Sequence, residues 1–308
     1  MELQLRPFGG EADLGSMAAL AKAFPAANLH VADLPYRFSS WALDYPDNIA
    51  LWVNPGGALL GWSILQTPFW TIDYACHPDV EAALHPQILA WADARARQIV
   101  ATPAGRPMWF VNVFTGQHGR RQDLEAAGFA SQADVGEDSW TKVLMRRPGS
   151  LPIPAVPLPE GFTIRPLAGE PEVAAYVALH QAAFQSKNMT VPWRQRTLSR
   201  PEYLPDLDLV AVAPDGRLAA FCIGWFNQDS PVGITGQVEP LGVHEDFQHQ
   251  GLGRCLLFEV VRRLQQAGAE WVYVETDNYR DAAFALYTSA GFQVLEDVLV
   301  YRKEYGDS

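Results

Sequence analysis

The chain has 308 residues, 48% of them hydrophobic and 19% charged, and its net charge is −12 at pH 7. That length suits two domains that each bury a core, which excludes extensive disorder. The acidic balance repels phosphate backbones, so it argues against a nucleic-acid partner and fits a small cationic one. Three scattered cysteines, Cys76, Cys222 and Cys255, offer neither a disulfide framework nor a CxxC zinc pair, and no metal is expected. The opening MELQLRPFGGEADLG lacks a basic region followed by an apolar one, and no apolar run reaches the roughly 18 residues of a membrane span. The expectation is a cytoplasmic protein without membrane contact, as a monomer or a homodimer.

In chain order, LQLRPF around Arg6 reads as a strand and NPGGALLGWSI (54–64) as two strands about a glycine turn. LEAAGF (124–129) reads as a helix end with a glycine cap, followed by an aromatic that starts a strand. RPGSLPIPAVPLPEG (147–161) has five prolines and no helical or strand period, the composition of a stiff extended linker. Beyond it the same signals return. FTIRPL matches LQLRPF and APDGRLAAFCI (213–223) matches NPGGALLGWSI, both at an offset of 159, and YTSAGF (287–292) matches LEAAGF at 163. One domain has been duplicated, as residues 1–146 and 162–308 with 147–161 between them.

The second copy reads more fully. FTIRPL is a strand and PEVAAYVALHQAAF (171–184) an amphipathic helix. LDLVAVAP with GRLAAFCIGWF (207–226) is a hairpin, and ITGQVEPLGV (234–243) a longer strand. GRCLLFEVVRRLQQAG (253–268) carries apolar residues at helical spacing. WVYVET is a strand, DAAFALYTSAG a helix and VLEDVLVYRKEY a terminal strand. The fold class is α/β: two tandem domains, each a central mixed sheet flanked by helices.

Gln248-His249-Gln250-Gly251-Leu252-Gly253-Arg254 joins a strand to a helix. First-turn N–H groups and the helix dipole favour an anion there, and glycines admit close approach. Arg254 adds a positive charge. A Walker loop needs Gly-Lys-Ser/Thr, and a dinucleotide fingerprint needs glycine where Leu256 stands, so both fail. An ordinary tight strand-to-helix turn is the alternative.

Gln248, Gly251 and Gly253 match Q/R-x-x-G-x-G/A, and VYVETDN with AFALYTSAGF follows in order. The sequence from 160 to 305 thereby resembles the GNAT family of N-acetyltransferases, which use acetyl coenzyme A. The resemblance implies that residues 248–254 cradle the pyrophosphate and that Leu241, Gly242 and Val243 bond the pantetheine arm, with Asn278 also on the cofactor. It also implies that the Val243 N–H polarises the thioester carbonyl. Pro240 and Gly242 suit a strand that bulges and splays.

An acceptor ammonium must lose a proton before it attacks. By the period of two, Glu239 shares a strand face with Leu241 and Val243, and so reads as a general base or as an ion-paired strand carboxylate. The resemblance puts Tyr287 where the family's general acid stands; a packed aromatic is the other reading. His244-Glu245 with His249 misses the HExxH metal spacing by one residue. Cys255 reads as packing.

Aligned without a gap, 76–89 against 243–256, the first copy has Glu81 for Gln248, Leu84 for Gly251, Pro86 for Gly253 and Gln87 for Arg254, and Leu124 stands for Tyr287. It has lost the chemistry and is expected to wall the substrate site. The segment 185–203 is expected to be an acceptor loop, with Trp193 and Tyr203 as candidate lining. The whole reads as an acetyltransferase acting on a primary amine of a small cationic acceptor by direct attack. A non-catalytic acyl coenzyme A sensor or scaffold is the rival.

Overall fold

A computed structural model describes residues 3–133, 135–136, 139–278 and 281–306, so positions 1–2 and 307–308 at the outer limits of the two copies lie outside it. The first copy runs β1 Gln4–Pro7, α1 Glu11–Ala23, α2 Leu34–Arg37, β2 Ile49–Val53, β3 Leu59–Gln66, β4 Thr71–Cys76, α3 Glu81–Ile99, β5 Met108–Phe114, α4 His118–Ala126, β6 Ala130–Ser131 and β7 Thr141–Pro148. The second runs β8 Thr163–Pro166, α5 Val173–Phe184, α6 Val191–Leu198, β9 Asp208–Val212, β10 Leu218–Asn227, β11 Thr235–Val243, α7 Leu252–Gln266, β12 Trp271–Asp277, α8 Asp281–Ser289 and β13 Gln293–Glu304. The matched motifs occupy matched elements. α4 and α8 coincide at the offset of 163 seen in sequence.

All strands belong to one mixed sheet in the order β1-β2-β3-β4-β5-β13-β7-β12-β11-β10-β9-β8, with β6 beside β13. Two neighbouring pairs are parallel, β4 with β5 and β11 with β12. The two copies exchange their last strands: β13 lies along β5 from Val298–Phe114 to Glu304–Met108, and β7 lies along β12 from Trp271–Pro148 to Asp277–Lys142. The exchanged strands also pair with each other, so the sheet has no seam. Val143, Met145, Val298 and Val300 are buried there, each side chain contributing about 1.5–3 kcal/mol of transfer free energy.

The proline-rich segment has no regular element, yet it is fastened to the second copy. Arg147, buried, donates to the carbonyls of Ala290 (2.8 Å), Leu151 (2.8 Å) and Pro152 (3.0 Å). Ile153, Val156 and Leu158 pack against the core beneath α7. The second copy has a core on each sheet face. One lies under α7, and the other, under α5 and α6, includes Tyr36 of the first copy with Phe69 and Trp41 beside it. No helix among the described residues is long and apolar enough to cross a membrane.

Candidate functional site

β11 and β12 pair only at Thr235–Trp271, Gly236–Val272 and Gln237–Tyr273 and then part. Beyond Gln237 the β12-facing backbone groups of β11 lose their ladder. The His244 N–H bonds back to the Ala219 carbonyl at 2.9 Å on the β10 side. Alternation along a strand therefore turns the N–H groups of Leu241 and Val243 into the gap. That is the donor row expected of a strand end that splays.

The face reading needs correction. β10 and β11 pair as Cys222–Leu241 and Gly224–Val238, so Glu239 and Pro240 oppose the single residue Ile223 in a bulge. The extra residue reverses the phase. Leu241 and Val243 turn to the α7 face with their partners Cys222 and Ala220, and Glu239 stays on the α5 face with Gln237. Gly242 is required by close approach, since a Cβ there would stand 2.5 Å from the Phe221 ring.

From Val243 the chain makes a short 3-10 turn, capped by His244 Nδ1 accepting from the Asp246 N–H at 3.1 Å. The next residues contain two left-handed positions, His249 (φ 60°) and Gly251 (φ 83°), the latter the N-cap of α7. Gly251 has open space around a would-be Cβ, so its requirement is conformational. Cys255 is the first residue to bond back, to the Gly251 carbonyl at 3.1 Å, which leaves the N–H groups of Leu252, Gly253 and Arg254 ahead of the helix. No side chain caps them. Gln248 reaches the Val243 carbonyl at 3.4 Å, and Arg254, exposed, has no ion pair among the described residues. An anion fits this turn. Cys255 is buried, with its Sγ on the Pro157 carbonyl at 3.6 Å.

On the other side of the gap is a cavity of about 410 Å³. Glu239, Leu241 and Tyr287 line it together with His30, Asp33 and Arg37 of the first copy and Lys142 of exchanged strand β7. Both copies therefore wall it. Lys142 bonds Glu275 at 2.7 Å, His30 meets Asp33 at 3.0 Å, and Arg37 holds Asp73 at 2.6 Å. Burial works against the charges of Glu275 and Asp33, yet Lys142 and His30 hold them below the usual carboxylate range. The Glu239 carboxylate has no hydrogen bond or ion pair among the described residues. Burial, then the negative charges of Asp33 and Glu275, push it up to about 7. Its backbone is held by Trp225 Nε1, which donates to the Glu239 carbonyl at 2.7 Å. Nearby His180, stacked on Phe221, is driven down to about 3 by burial and Arg194, so it is a neutral partner for the Tyr36 hydroxyl at 3.1 Å. The cavity thus offers one carboxylate poised near neutrality among groups locked in pairs.

Of the remaining sequence candidates, Trp193 lines the cavity and donates its Nε1 to the Tyr36 carbonyl at 3.1 Å. Tyr203 instead donates to Asp208 at 2.6 Å, outside the cavity. The segment 185–203 is not all loop, because α6 forms within it behind a Thr190 N-cap. Asn278 is committed to β7: its N–H donates to the Thr141 carbonyl (2.9 Å) and its Oδ1 accepts from the Thr141 N–H (3.1 Å). The wall residues His30, Asp33, Arg37, Lys142 and Glu275 escaped the sequence reading.

The equivalent place in the first copy is filled. β4 and β5 also part, after the single pair Thr71–Phe110, but β4 pairs with β3 without a bulge. α3 starts at Glu81, whereas Leu252, the first residue of α7, aligns with His85; helix has replaced the anion turn. Arg120, which aligns with Ala283, lies buried and donates to Glu81 (2.7 Å) and to the Ala27 carbonyl (2.6 Å). His85 bridges Tyr74 (3.1 Å) and Asp123 (2.8 Å) behind it.

The sequence model described as "Acetyltransferase (GNAT) family" matches residues 173–292, within the second copy. The chain is similar to the mycothiol acetyltransferases of Salinispora arenicola and Streptomyces coelicolor. It is 31% identical to the first over 77% of this chain and 75% of that one, and 28% identical to the second over 81% and 77%. The mycothiol acetyltransferase of Nocardiopsis dassonvillei, 29% identical, is matched over 56% of this chain and 61% of its own length. Two solved structures share the fold. A GCN5-related N-acetyltransferase from Sphaerobacter thermophilus has a TM-score of 0.67 at 22% identity, over 99% of this chain and 96% of that one. A tandem GNAT protein from the clavulanic acid biosynthesis pathway has 0.62 at 15%, over all of both chains.

Proposed function

The chain belongs to the acetyltransferase (GNAT) family, whose enzymes use acetyl coenzyme A, and from that premise we propose that its second copy acetylates a primary amine of a small cationic acceptor by direct attack. The observation that carries this reading is the meeting of Glu239, Tyr287 and the unladdered end of β11 at one cavity. Acetyl coenzyme A supplies an activated acetyl thioester. The N–H groups at 252–254 and Arg254 hold its pyrophosphate, and the Val243 N–H donates to the carbonyl oxygen, where negative charge grows during attack. Glu239, near neutrality and unpaired, removes the proton from the acceptor ammonium. Tyr287 donates a proton to the departing sulfur. Four carboxyl groups, Asp33, Glu239, Glu275 and Asp277, line the cavity against Arg37, Lys142 and His30, a balance that favours a cation.

The first copy is assigned the role of wall, holding no cofactor of its own. The tests are titration of acetyl coenzyme A by calorimetry and an acetylation screen over primary amines, including the acceptor that the relatives' name implies. One site per chain with turnover of an amine is the expected result. Two sites would refute the assignment of the first copy. Binding with no turnover of any amine would favour an acyl coenzyme A sensor.

A further inference from the structure

A second cavity, of about 310 Å³, lies on the same sheet face as the first, and Gln237 lines both. The alternation of strands puts Lys142, Leu144 and Arg146 of β7, and Trp271, Tyr273 and Glu275 of β12, on that face. The inner members of these series line the first cavity and the outer ones the second. Gln237 stands between the two spaces, and Glu239 lines the first of them. Val232 and Leu295, both exposed, form an apolar rim.

Arg146 stands out in the second cavity. Its guanidinium carbon lies 4.3 Å from the Trp271 ring centroid, and among the described residues it has neither an ion pair nor a hydrogen bond. It is half-buried. Lys142, four residues along the same strand, is paired with Glu275, and Arg147, next to Arg146, is saturated by carbonyls. A guanidinium resting over an indole without a hydrogen-bond partner still has its N–H groups to offer, and these can take two oxygens of one anion. Register fixes its place. Gln237 pairs with Tyr273 and Tyr273 with Arg146, so Arg146 is two strands across from Gln237, about 10 Å between Cα atoms by ladder spacing. Glu239 lies two residues further along β11, beyond the point where it parts from β12.

We infer that this outer cavity is a subsite for the body of the acceptor, which carries an anionic group, a carboxylate or a phosphate, that Arg146 binds while the amine lies at Glu239. The inference rests on the acetyl-transfer reading for the direction of the acceptor, and it revises the net charge proposed above: the amine end is cationic, the far end anionic, and the middle apolar or aromatic. Trp271 and Tyr273 supply flat apolar contact for that middle.

The test uses four probes on the full chain: phenethylamine, 4-(2-aminoethyl)benzamide, 4-(2-aminoethyl)benzoate and 4-(2-aminoethyl)phenyl phosphate. Binding is measured by calorimetry and acetylation by release of free thiol. Wild type should favour one or both anionic probes over the benzamide by about tenfold or more, as a charge-assisted pair provides. The stronger of the two names the anion. Arg146→Gln should bring that ratio to about one, and the exposed helix variant Arg97→Gln should leave it unchanged. Equal treatment of anionic and neutral probes by wild type, or a preference that survives in Arg146→Gln, overturns the inference. Selective binding with no acetylation would keep the subsite and sink the acetyl-transfer reading. Acetylation without an anion preference would do the reverse.

Discussion

The two copies share a fold and differ in what occupies the gap between their parallel strands. In the second, a bulge in β11 frees Glu239 from its neighbours and a left-handed turn delays the start of α7. In the first, β4 runs without a bulge, α3 starts early, and Arg120 fills the space with an ion pair to Glu81. The nearest counterpart of Glu239 in strand register, Asp73, is clamped by both Nε and Nη2 of Arg37. The proposed mechanism depends on leaving groups unsatisfied, and the first copy shows what satisfying them looks like.

The largest effect should come from building that plug into the second copy. Ala283→Arg with Gln248→Glu recreates the Arg120–Glu81 pair, and acetyl coenzyme A affinity should fall by more than about 100-fold. Thermal unfolding should show the protein still folded, and unaltered affinity would break the comparison. Next is Glu239→Gln, which should lower kcat/KM by about 10²–10³ and leave cofactor binding near wild type. In wild type kcat/KM should rise with pH through about 7, because the base works only when ionised; that limb should vanish in the variant. Tyr287→Phe should cost about tenfold to 100-fold in kcat with little change in KM, which steady-state kinetics would show.

Smaller effects concern stability. The folded value of Glu239, about 7, lies above its ordinary 4.5, so the folded state binds this proton more tightly than the unfolded chain. The resulting stabilisation is whole below 4.5 and fades as pH rises through 7. Glu239→Gln should therefore be more stable than wild type at pH 8, by up to about 2 kcal/mol, with little gain at pH 5, as denaturant titrations would show. Arg120→Leu should destabilise the protein by about 2 kcal/mol by stranding Glu81, and calorimetry should still find one cofactor site.

The duplication, the glycine turn ahead of α7 and the nearness of Glu239 to Tyr287 were legible because each rests on local chemistry: a glycine requirement, a helix start, a motif spacing. The side of the strand that Glu239 faces was misread because a bulge adds one residue without changing the alternation of types around it. The cavity walls were not legible. Lys142 reaches Glu275 across 133 residues of chain, and the local pair His30–Asp33 reaches the same cavity only through packing of the first copy against the second; no local pattern encodes such a meeting. The Arg147 clamp was hidden for the same reason, inside a segment whose prolines signalled only a spacer.

The exchanged strands also set an order of events during synthesis. β5, made by residue 114, acquires its neighbour only when residues 298–304 exist, so the first half of the chain waits with an open strand edge while the whole second half is translated. The first copy is therefore the last to be completed, and a chain stopped short of β13 would present that edge to whatever it met first.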